Sequence, residues 1–216
     1  MNGRLLYRRY RLTDTKERIL QTALRLFAED GYEAVSVSTI AGELGMTKGA
    51  LYKHYKNKHD IFDSIVARME QRDAEQAGDY EVPEGTVDEM EEAYQSTSLK
   101  QLLEFRKAQF RYWTEDAFAS RFRRLLTLEQ YRSETMGKLY QQYLAAGPMG
   151  YVADLFAGMG FSEPQEKAAS FYAPMFLLYT VYDGAEASEK EAVLALADAC
   201  LEQSCKSLKQ EKEETV

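Results

Sequence analysis

The chain has 216 residues, a formal net charge of −8, 45% hydrophobic residues and 29% charged residues. This is an ordinary globular composition, and it excludes a collagen-like, mucin-like or wholly disordered chain. Two cysteines are too few for a disulfide scaffold, and neither a bilayer-spanning stretch nor a signal peptide is predicted. We therefore expect a cytoplasmic protein with no membrane association.

Positive charge is concentrated in the first third of the chain. Residues 1–72 carry 13 basic and 9 acidic residues, whereas residues 73–216 carry 14 and 26. The first twelve residues contain no acid, and a second acid-free stretch holds Lys48, Lys53, Lys56 and Lys58. This division indicates two functional regions. Only the first, which has a net positive charge, is suited to binding a polyanion.

Apolar residues recur at helical spacing along the whole chain, which predicts an all-α fold. Thr13 or Thr15 is predicted to cap a first helix that Gly31 ends. Three more helical segments are predicted to follow: a short helix capped by Ser36 and ended by Gly45, the segment KGALYKHY capped by Thr47, and a longer helix from near Asn57.

An acidic stretch between Ala77 and Ser98, broken by Pro83 and Gly85, predicts a boundary between two helical domains. The predicted organisation is a basic N-terminal arm (residues 1–12), a first helical domain (13–77) and a larger second helical domain (78–209). The helices predicted in the larger domain are Leu99–Trp113, Phe118–Leu126, Leu128–Ala145, Gly150–Met159, Pro164–Asp183 and Ser188–Leu208.

The two short helices around Leu44–Thr47 predict a helix-turn-helix. Ala41 supplies a small residue where the helices cross, and Gly45 supplies a turn residue that tolerates a positive φ. The second helix then exposes small, basic and hydroxyl-bearing side chains. Small residues permit close approach to DNA, and lysines and hydroxyls contact phosphates.

The run from Gly31 to Phe62 resembles the signature of the tetracycline-repressor (TetR) family of bacterial transcriptional regulators. The matching residues are Gly31-Tyr32, Ser36, Ile40-Ala41, Gly45-Met46-Thr47, Leu51-Tyr52, Tyr55 and Lys58. Tyr55 replaces the commoner Phe, and His59-Asp60 replaces the commoner pair of acids. The resemblance covers residues 13–66, and beyond residue 80 it extends only to the layout of helices.

The resemblance implies a dimeric repressor that binds a palindromic operator and is released from it by a small effector. It makes residues 13–77 the DNA-binding domain and residues 78–209 the effector-binding and dimerisation domain. Symmetric dimers read half-sites whose centres lie about 34–36 Å apart, or a multiple of that distance. Dimerisation is expected through the last two long helices, with Leu194 and Leu201 among the apolar residues of the final one.

The residues predicted to contact DNA are Ser36, Thr39, Thr47, Lys48, Gly49, Ala50, Tyr52, Lys53, His54 and Lys58. For the hydroxyl residues the alternative is plain helix capping, and for the lysines it is a solvated face. The basic arm either reaches a minor groove or adds non-specific attraction only. His54 and His59 lack the cysteines or paired acids of a metal site, so neither a metal nor a cofactor is predicted.

Aromatic residues are dense in the second region, which predicts an apolar or aromatic effector. The predicted pocket residues are Phe105, Gln109, Tyr112, Trp113, Phe122, Tyr131, Tyr140 and Tyr143, for which the alternative is core packing. A charged group on the effector needs a partner. An inward Glu129 favours a lipophilic cation, whereas an inward arginine (Arg106, Arg111 or Arg121) favours a lipophilic acid.

Two other classes remain as alternatives: an all-helical enzyme and a protein-interaction module that retains a helix-turn-helix-like segment. An enzyme is not predicted, because no Ser/His/Asp, Cys/His or glycine-rich phosphate-binding arrangement occurs. The salt dependence of DNA binding distinguishes the classes. Phosphate contacts predict that the affinity for DNA falls steeply as the salt concentration rises, whereas an enzyme or an interaction module predicts no such dependence.

Overall fold

The computed structural model describes the backbone of residues 3–83 and 86–214, and side chains from Asp14 onward. The described residues form an all-α fold without strands. None of these helices is long and apolar enough to cross a membrane. The helices are α1 (Gly3–Asp30), α2 (Val37–Glu43), α3 (Lys48–Leu51), α4 (Lys58–Asp79), α5 (Val87–Ser96), α6 (Leu99–Glu115), α7 (Ala117–Glu129), α8 (Glu134–Leu144), α9 (Ala146–Gly158), α10 (Pro164–Gly184) and α11 (Lys190–Glu214).

The prediction that Thr13 or Thr15 caps the first helix was wrong. Helix α1 passes through both positions and begins at Gly3. The residues between Gly3 and Thr13 are mostly good helix formers, which explains the early start. The arginine side chains of the basic arm, at Arg4, Arg8, Arg9 and Arg11, lie outside the described residues. Their role in DNA binding stays a prediction.

Other predicted boundaries also differ from the structure: α9 begins at Ala146 instead of Gly150, and α11 ends at Glu214 instead of Leu208. Helix α3 ends at Leu51, and the chain continues in a tighter turn in which the backbone amide of His54 donates to the carbonyl of Leu51 at 2.9 Å. Helix α8 begins at Glu134 instead of Leu128, after a turn that follows α7.

Helix α5 lies where an irregular connection was predicted. It begins after Thr86, whose backbone amide and hydroxyl both donate to the carboxylate of Glu89, at 3.1 and 2.9 Å. It packs against α9 at Gly158, where a Cβ atom would lie 2.8 Å from the carbonyl oxygen of Tyr94. A glycine is therefore required at that contact.

The chain divides into two compact units, and the division differs from the single boundary predicted near residue 77. Unit 1 comprises the chain up to Arg72 together with Arg121–Gly137. Unit 2 comprises Asp73–Ser120 and the chain from Lys138 onward. The return of residues 121–137 to the N-terminal unit was not predicted, because it depends on contacts between residues far apart in sequence.

The core of unit 1 forms around the inward face of α1, which carries Ile19, Ala23, Leu24 and Phe27 as predicted. The partly exposed pair Glu17–Arg68 joins α1 to α4, with nitrogen–oxygen distances of 3.0 and 2.7 Å. Apolar residues from the other helices of the unit fill the rest of the core: Ile40, Leu51, Ile61, Phe62, Ile65, Phe122, Leu125 and Leu126.

In unit 2, α10 packs against α6, α9 and α11, and α11 packs against α6. Aromatic contacts are frequent in this core. The rings of Phe110 and Tyr179 stack with centroids 5.0 Å apart, and those of Phe156 and Phe171 meet edge to face at 5.6 Å. Such pairs add to the stabilisation that their buried area gives.

Candidate nucleic-acid interface

The turn between α2 and α3 has the geometry that a helix-turn-helix requires. Gly45 has a φ of +64°, in the left-handed region that favours glycine. The backbone amide of Met46 donates to the carbonyl of Ala41 at 2.9 Å, which ties the turn to α2. Because Ala41 and Leu51 are buried, the opposite side of α3 is left on the surface.

That surface carries most of the residues predicted to contact DNA. Thr47, Lys48, Gly49, Tyr52 and Lys53 are exposed, and Ala50 and His54 are half-buried. The ammonium group of Lys48 lies 5.8 Å from the centroid of the Tyr52 ring, so the two side chains lie beside each other. The structure thus leaves seven of the predicted residues at least partly accessible around α3.

The lysines of this surface have no acidic partner within the described part of the chain, whereas two arginines elsewhere in unit 1 are paired. Arg25 forms ion pairs with Glu29 and Glu43, and Arg68 pairs with Glu17. Among the described residues, Lys48, Lys53 and Lys56 form no ion pair. Lys56 is exposed and was not singled out as a contact, although its acid-free sequence neighbourhood was a signal for it.

Gly49 has no structural role that requires a glycine. A Cβ atom at this position would meet nothing within 4 Å, and its φ is not positive. Within a helix, glycine is less favourable than alanine by about 1 kcal/mol. Gly49 therefore leaves an open, side-chain-free position on the surface of α3.

The hydroxyl side chains act as helix caps. Ser36 Oγ accepts from the backbone amide of Thr39 at 3.0 Å, and the hydroxyls of Ser36 and Thr39 lie 2.9 Å apart. Thr47 Oγ1 accepts from the backbone amide of Ala50 at 3.2 Å. These hydrogen bonds confirm the alternative interpretation of the three residues as caps. All three residues are also exposed, and their contact with phosphate stays a prediction.

Lys58 was predicted to contact the DNA backbone, and the structure places its side chain inside the unit. Its ammonium group donates to the carbonyl oxygen of Tyr32 at 2.8 Å and lies 4.1 Å from the centroid of the Tyr32 ring. Glu33 lies 3.7 Å away. Lys58 therefore holds the turn between α1 and α2, and a phosphate contact would be additional to this role.

Glu129 is the residue of this unit that sequence reasoning placed elsewhere. Its side chain is 1% exposed, and its Oε1 accepts from the backbone amide of Tyr32 at 3.0 Å and lies 3.2 Å from Arg132. A Cβ atom on Gly31, where φ is +90°, would lie 2.7 Å from the same oxygen. Glu129 is thus committed to the turn and does not favour a cationic effector.

Tyr55, at a position where the family usually has Phe, is an anchor and not a surface residue. It is buried, and its hydroxyl donates to the carbonyl of Lys16 at 3.2 Å. Burial raises the pKa of Tyr55 to about 12, so the phenol stays neutral. The hydroxyl finds a partner on α1, which explains how this core accepts tyrosine.

Residues 19–65, which span this helix-turn-helix, match the family described as bacterial regulatory proteins of the tetR family. This part of the chain is a TetR-family domain. Among curated relatives, AcrR of Shigella flexneri is 35% identical over 83 residues, covering 38% of this chain and 32% of AcrR. YerO of Bacillus subtilis is 47% identical over 50 residues, covering 23% of this chain and 17% of YerO. The matches thus span a third or less of these two relatives.

Solved structures of TetR-family proteins share the fold over most of the chain. The complex of SmeT with triclosan has a TM-score of 0.60 at 18% identity, covering 90% of this chain and 91% of that one. SmeT is described as the repressor of a multidrug efflux pump of Stenotrophomonas maltophilia. At this identity the likeness shows the fold alone.

The residues predicted for a TetR-type effector pocket are divided between the two units. Tyr131 is 93% exposed, in the turn that follows α7, so its assignment to an interior pocket was wrong. Phe122 is buried in unit 1. The other six lie in unit 2, where Gln109 and Tyr112 are half-buried and the rest are buried: Phe105, Trp113, Tyr140 and Tyr143.

Glu129→Gln tests the link between α7 and the first turn. We expect the free energy of unfolding to fall by about 1–3 kcal/mol, because a neutral amide oxygen is a weaker acceptor for the Tyr32 amide than the carboxylate and no longer pairs with Arg132. Thermal and urea unfolding measure the change. Glu33→Gln is the matched control: its exposed carboxylate adjoins the same turn, and we expect a change within about 0.5 kcal/mol. Equal effects of the two substitutions would contradict the assigned role.

Proposed function

We propose that this protein is a DNA-binding transcriptional regulator of the TetR family, a repressor that leaves a palindromic operator when a small apolar or aromatic effector binds. The observation that supports DNA binding best is the exposed face of α3. It combines unpaired lysines, an exposed tyrosine hydroxyl and a glycine without an internal role. Ammonium and hydroxyl groups contact phosphates, and a side-chain-free position admits a base edge or a sugar-phosphate strand.

The interface between two copies is proposed to lie on the outward faces of α10 and α11. Leu177 on α10 is 62% exposed, and Leu196 on α11 is 51% exposed. Phe176 and Val181, also on α10, are exposed as well. By contrast, Leu194 and Leu201 are buried within the protomer, so naming them as interface residues was wrong. Exposed large apolar residues concentrated on one pair of helices are typical of an obligate interface.

Release of DNA requires that the effector bind one conformation more tightly than the other. The chain offers a covalent path for such coupling. It joins unit 1 within α7, at Arg121, and leaves it within α8, after Gly137. Glu129 lies on this segment and bonds the turn before α2. A shift of α7 would therefore change the support of the helix-turn-helix.

An enzyme or a protein-interaction module remains the alternative class. Either would leave the lysines of α3 as a solvated face, with no salt-dependent binding of DNA. The names of the curated relatives, which are transcriptional regulators, favour the DNA-binding class.

Lys53→Ala tests the phosphate contact. We expect operator binding to weaken by about 1–3 kcal/mol without loss of fold. The slope of the logarithm of the binding constant against the logarithm of the salt concentration is expected to decrease by the contribution of about one phosphate contact. The operator is obtained by selecting genomic fragments, and affinity is measured by gel shift at several salt concentrations. Lys209→Ala, which removes an exposed lysine of α11, is the control and leaves affinity unchanged. Equal affinity of wild type and Lys53→Ala would remove α3 from its proposed role.

Gly49→Ala separates folding from recognition, because its two expected effects have opposite signs. The free protein is expected to gain up to about 1 kcal/mol in stability, since alanine is the better helix former. Operator affinity is expected to fall, since the new methyl group occupies space on the DNA-facing side. Gly42→Ala, in α2 and also without neighbours within 4 Å, is the control. An affinity as strong as that of wild type would show that DNA does not approach Gly49.

Leu196→Glu tests the proposed dimer. A glutamate there would bury an unpaired charge at the interface, so we expect dissociation to monomers in sedimentation experiments. Tyr131→Glu adds the same charge at another exposed site and is expected to leave the dimer intact. A monomeric wild type at micromolar concentration would contradict the arrangement.

A further inference from the structure

Arg106 is a buried cation in the core of unit 2. It lies on the inward face of α6, four residues after Leu102 and four before Phe110, both of which are buried. Its side chain is 4% exposed. Arginine is almost never this buried unless it is paired, because an isolated charge loses its hydration in the protein interior.

The partners of Arg106 among the described residues are all uncharged. One terminal nitrogen donates to Gln109 Oε1, and the other donates to the carbonyl oxygen of Pro148 at 3.3 Å. The guanidinium carbon lies 5.2 Å from the centroid of the Tyr172 ring. These contacts satisfy hydrogen-bonding groups but supply no negative charge.

The nearest tyrosine does not act as a counter-ion. The hydroxyl of Tyr172 donates to the carbonyl of Leu144 at 2.8 Å, and burial raises its pKa to about 12. It is therefore a neutral phenol at physiological pH. Burial also lowers the pKa of the Arg106 guanidinium, which expresses the same desolvation. An arginine nevertheless keeps its proton, so the charge persists.

The other cations of the same helix show that acidic partners are available to α6. Lys107 pairs with Glu202 at 2.6 Å, and Arg111 pairs with Asp198 at 2.8 Å. Both acids lie on α11, at the partly exposed side of the helix. Arg106, within the described part of unit 2, has no such acidic partner although it is buried.

The first turn of α9 adds a second feature that favours an anion. Pro148, whose carbonyl meets Arg106, lies in this turn, and the N-cap residue Ala145 provides no side-chain hydrogen bond. Helix N-termini carry partial positive charge, so this end increases the positive potential at the guanidinium. Ala146 and Gly147, in the same turn, are small and exposed.

We propose that Arg106 is the charge-recognition residue of a ligand site in unit 2, and that the ligand is an organic carboxylate with an apolar or aromatic body. This inference rests on the proposed function, because the ligand is the effector invoked there. A guanidinium binds a carboxylate through two parallel hydrogen bonds. One guanidinium balances one negative charge, which favours a carboxylate over a phosphate dianion. The contacts to Gln109 and Pro148 would be exchanged for the ligand oxygens.

The side chains nearby suit the apolar body of such a ligand. Tyr151 and Tyr179 lie close enough to act on the charge of Arg106, and Phe110 stacks on Tyr179. Trp113 lies two turns after Arg106 on the same face of α6 and contacts Tyr143, with ring centroids 6.3 Å apart. It is the only tryptophan of the chain, so its fluorescence reports on this core.

The test compares ligands that differ in charge alone. Phenylbutyrate, phenylbutyramide and phenylbutylammonium are titrated into the full-length protein, with octanoate and octanamide as a second pair. Binding is followed by Trp113 fluorescence and by thermal shift. We expect the carboxylates to bind about tenfold to a hundredfold more tightly than their amides, as is typical of a charge-assisted hydrogen bond, and the ammonium compound not to bind. Equal binding of acid and amide overturns the proposal.

Arg106→Met tests whether carboxylate binding depends on this residue. The variant is expected to melt at or above the wild-type temperature, because an apolar side chain replaces an uncompensated buried charge. It is also expected to lose the preference for carboxylates. Arg111→Met removes a paired arginine from the same helix and is the matched control, which keeps the preference. Wild-type carboxylate binding by Arg106→Met overturns the proposal, as does a large loss of stability, which would show that the fold itself uses the charge.

Arg106→Lys provides a second variant that keeps the charge. It is expected to retain a reduced preference for the carboxylate, since lysine cannot form the paired hydrogen bonds. Gel shifts with operator DNA then separate the two proposals. Operator binding by a protein to which no carboxylate binds at millimolar concentration overturns this inference and leaves the proposed function standing. Carboxylate binding that depends on Arg106, in a protein that binds no operator, supports the site and contradicts the proposed function.

Discussion

The backbone of Tyr32 is held from both sides by charged groups, and the arrangement of unit 1 depends on this. Its amide donates to Glu129 and its carbonyl accepts from Lys58, at 3.0 and 2.8 Å. The two side chains come from segments that follow the turn by 97 and 26 residues. A turn without helix or strand has backbone groups that need partners once buried. Here those partners also fix where α1 ends, how α4 begins and where the end of α7 docks.

With the turn held in this way, some cations of unit 1 have partners inside the unit, whereas the described lysines around α3 have no acidic partner. Arg25, Lys58 and Arg68 are used within the unit, where they pair with carboxylates or the Tyr32 carbonyl. The described lysines around α3 are left unpaired at the surface. Exposed ion pairs contribute little to stability, so the division has a small effect on folding. Its effect on the electrostatic potential is larger, because positive charge is concentrated beside a helix that the fold leaves exposed.

Each unit also buries an arginine, Arg123 in unit 1 and Arg106 in unit 2, and both are 4% exposed. Arg106 and Arg111 are five residues apart on α6, which places their side chains about 140° apart around the helix axis. Arg111 reaches Asp198 at the surface, whereas Arg106 points into a core of tyrosines and phenylalanines. A residue that costs stability in the unliganded protein is accounted for most simply by a partner that the chain does not itself contain.

The all-α fold, the helix-turn-helix and the family could be predicted from sequence because they depend on local patterns. Helical spacing, caps such as Ser36 and Thr47, and the positive φ of Gly45 each involve residues within a few positions of one another. The start of α5 could be predicted in the same way, from the capping residues Thr86 and Glu89. The inward position of Arg106 could be predicted from its spacing of four residues to Leu102 and to Phe110. The partner of Glu129, the internal use of Lys58 and the exposure of Tyr131 were decided by the tertiary structure alone. Each depends on which distant segment packs beside the residue, and a periodic pattern identifies a buried face without identifying what covers it.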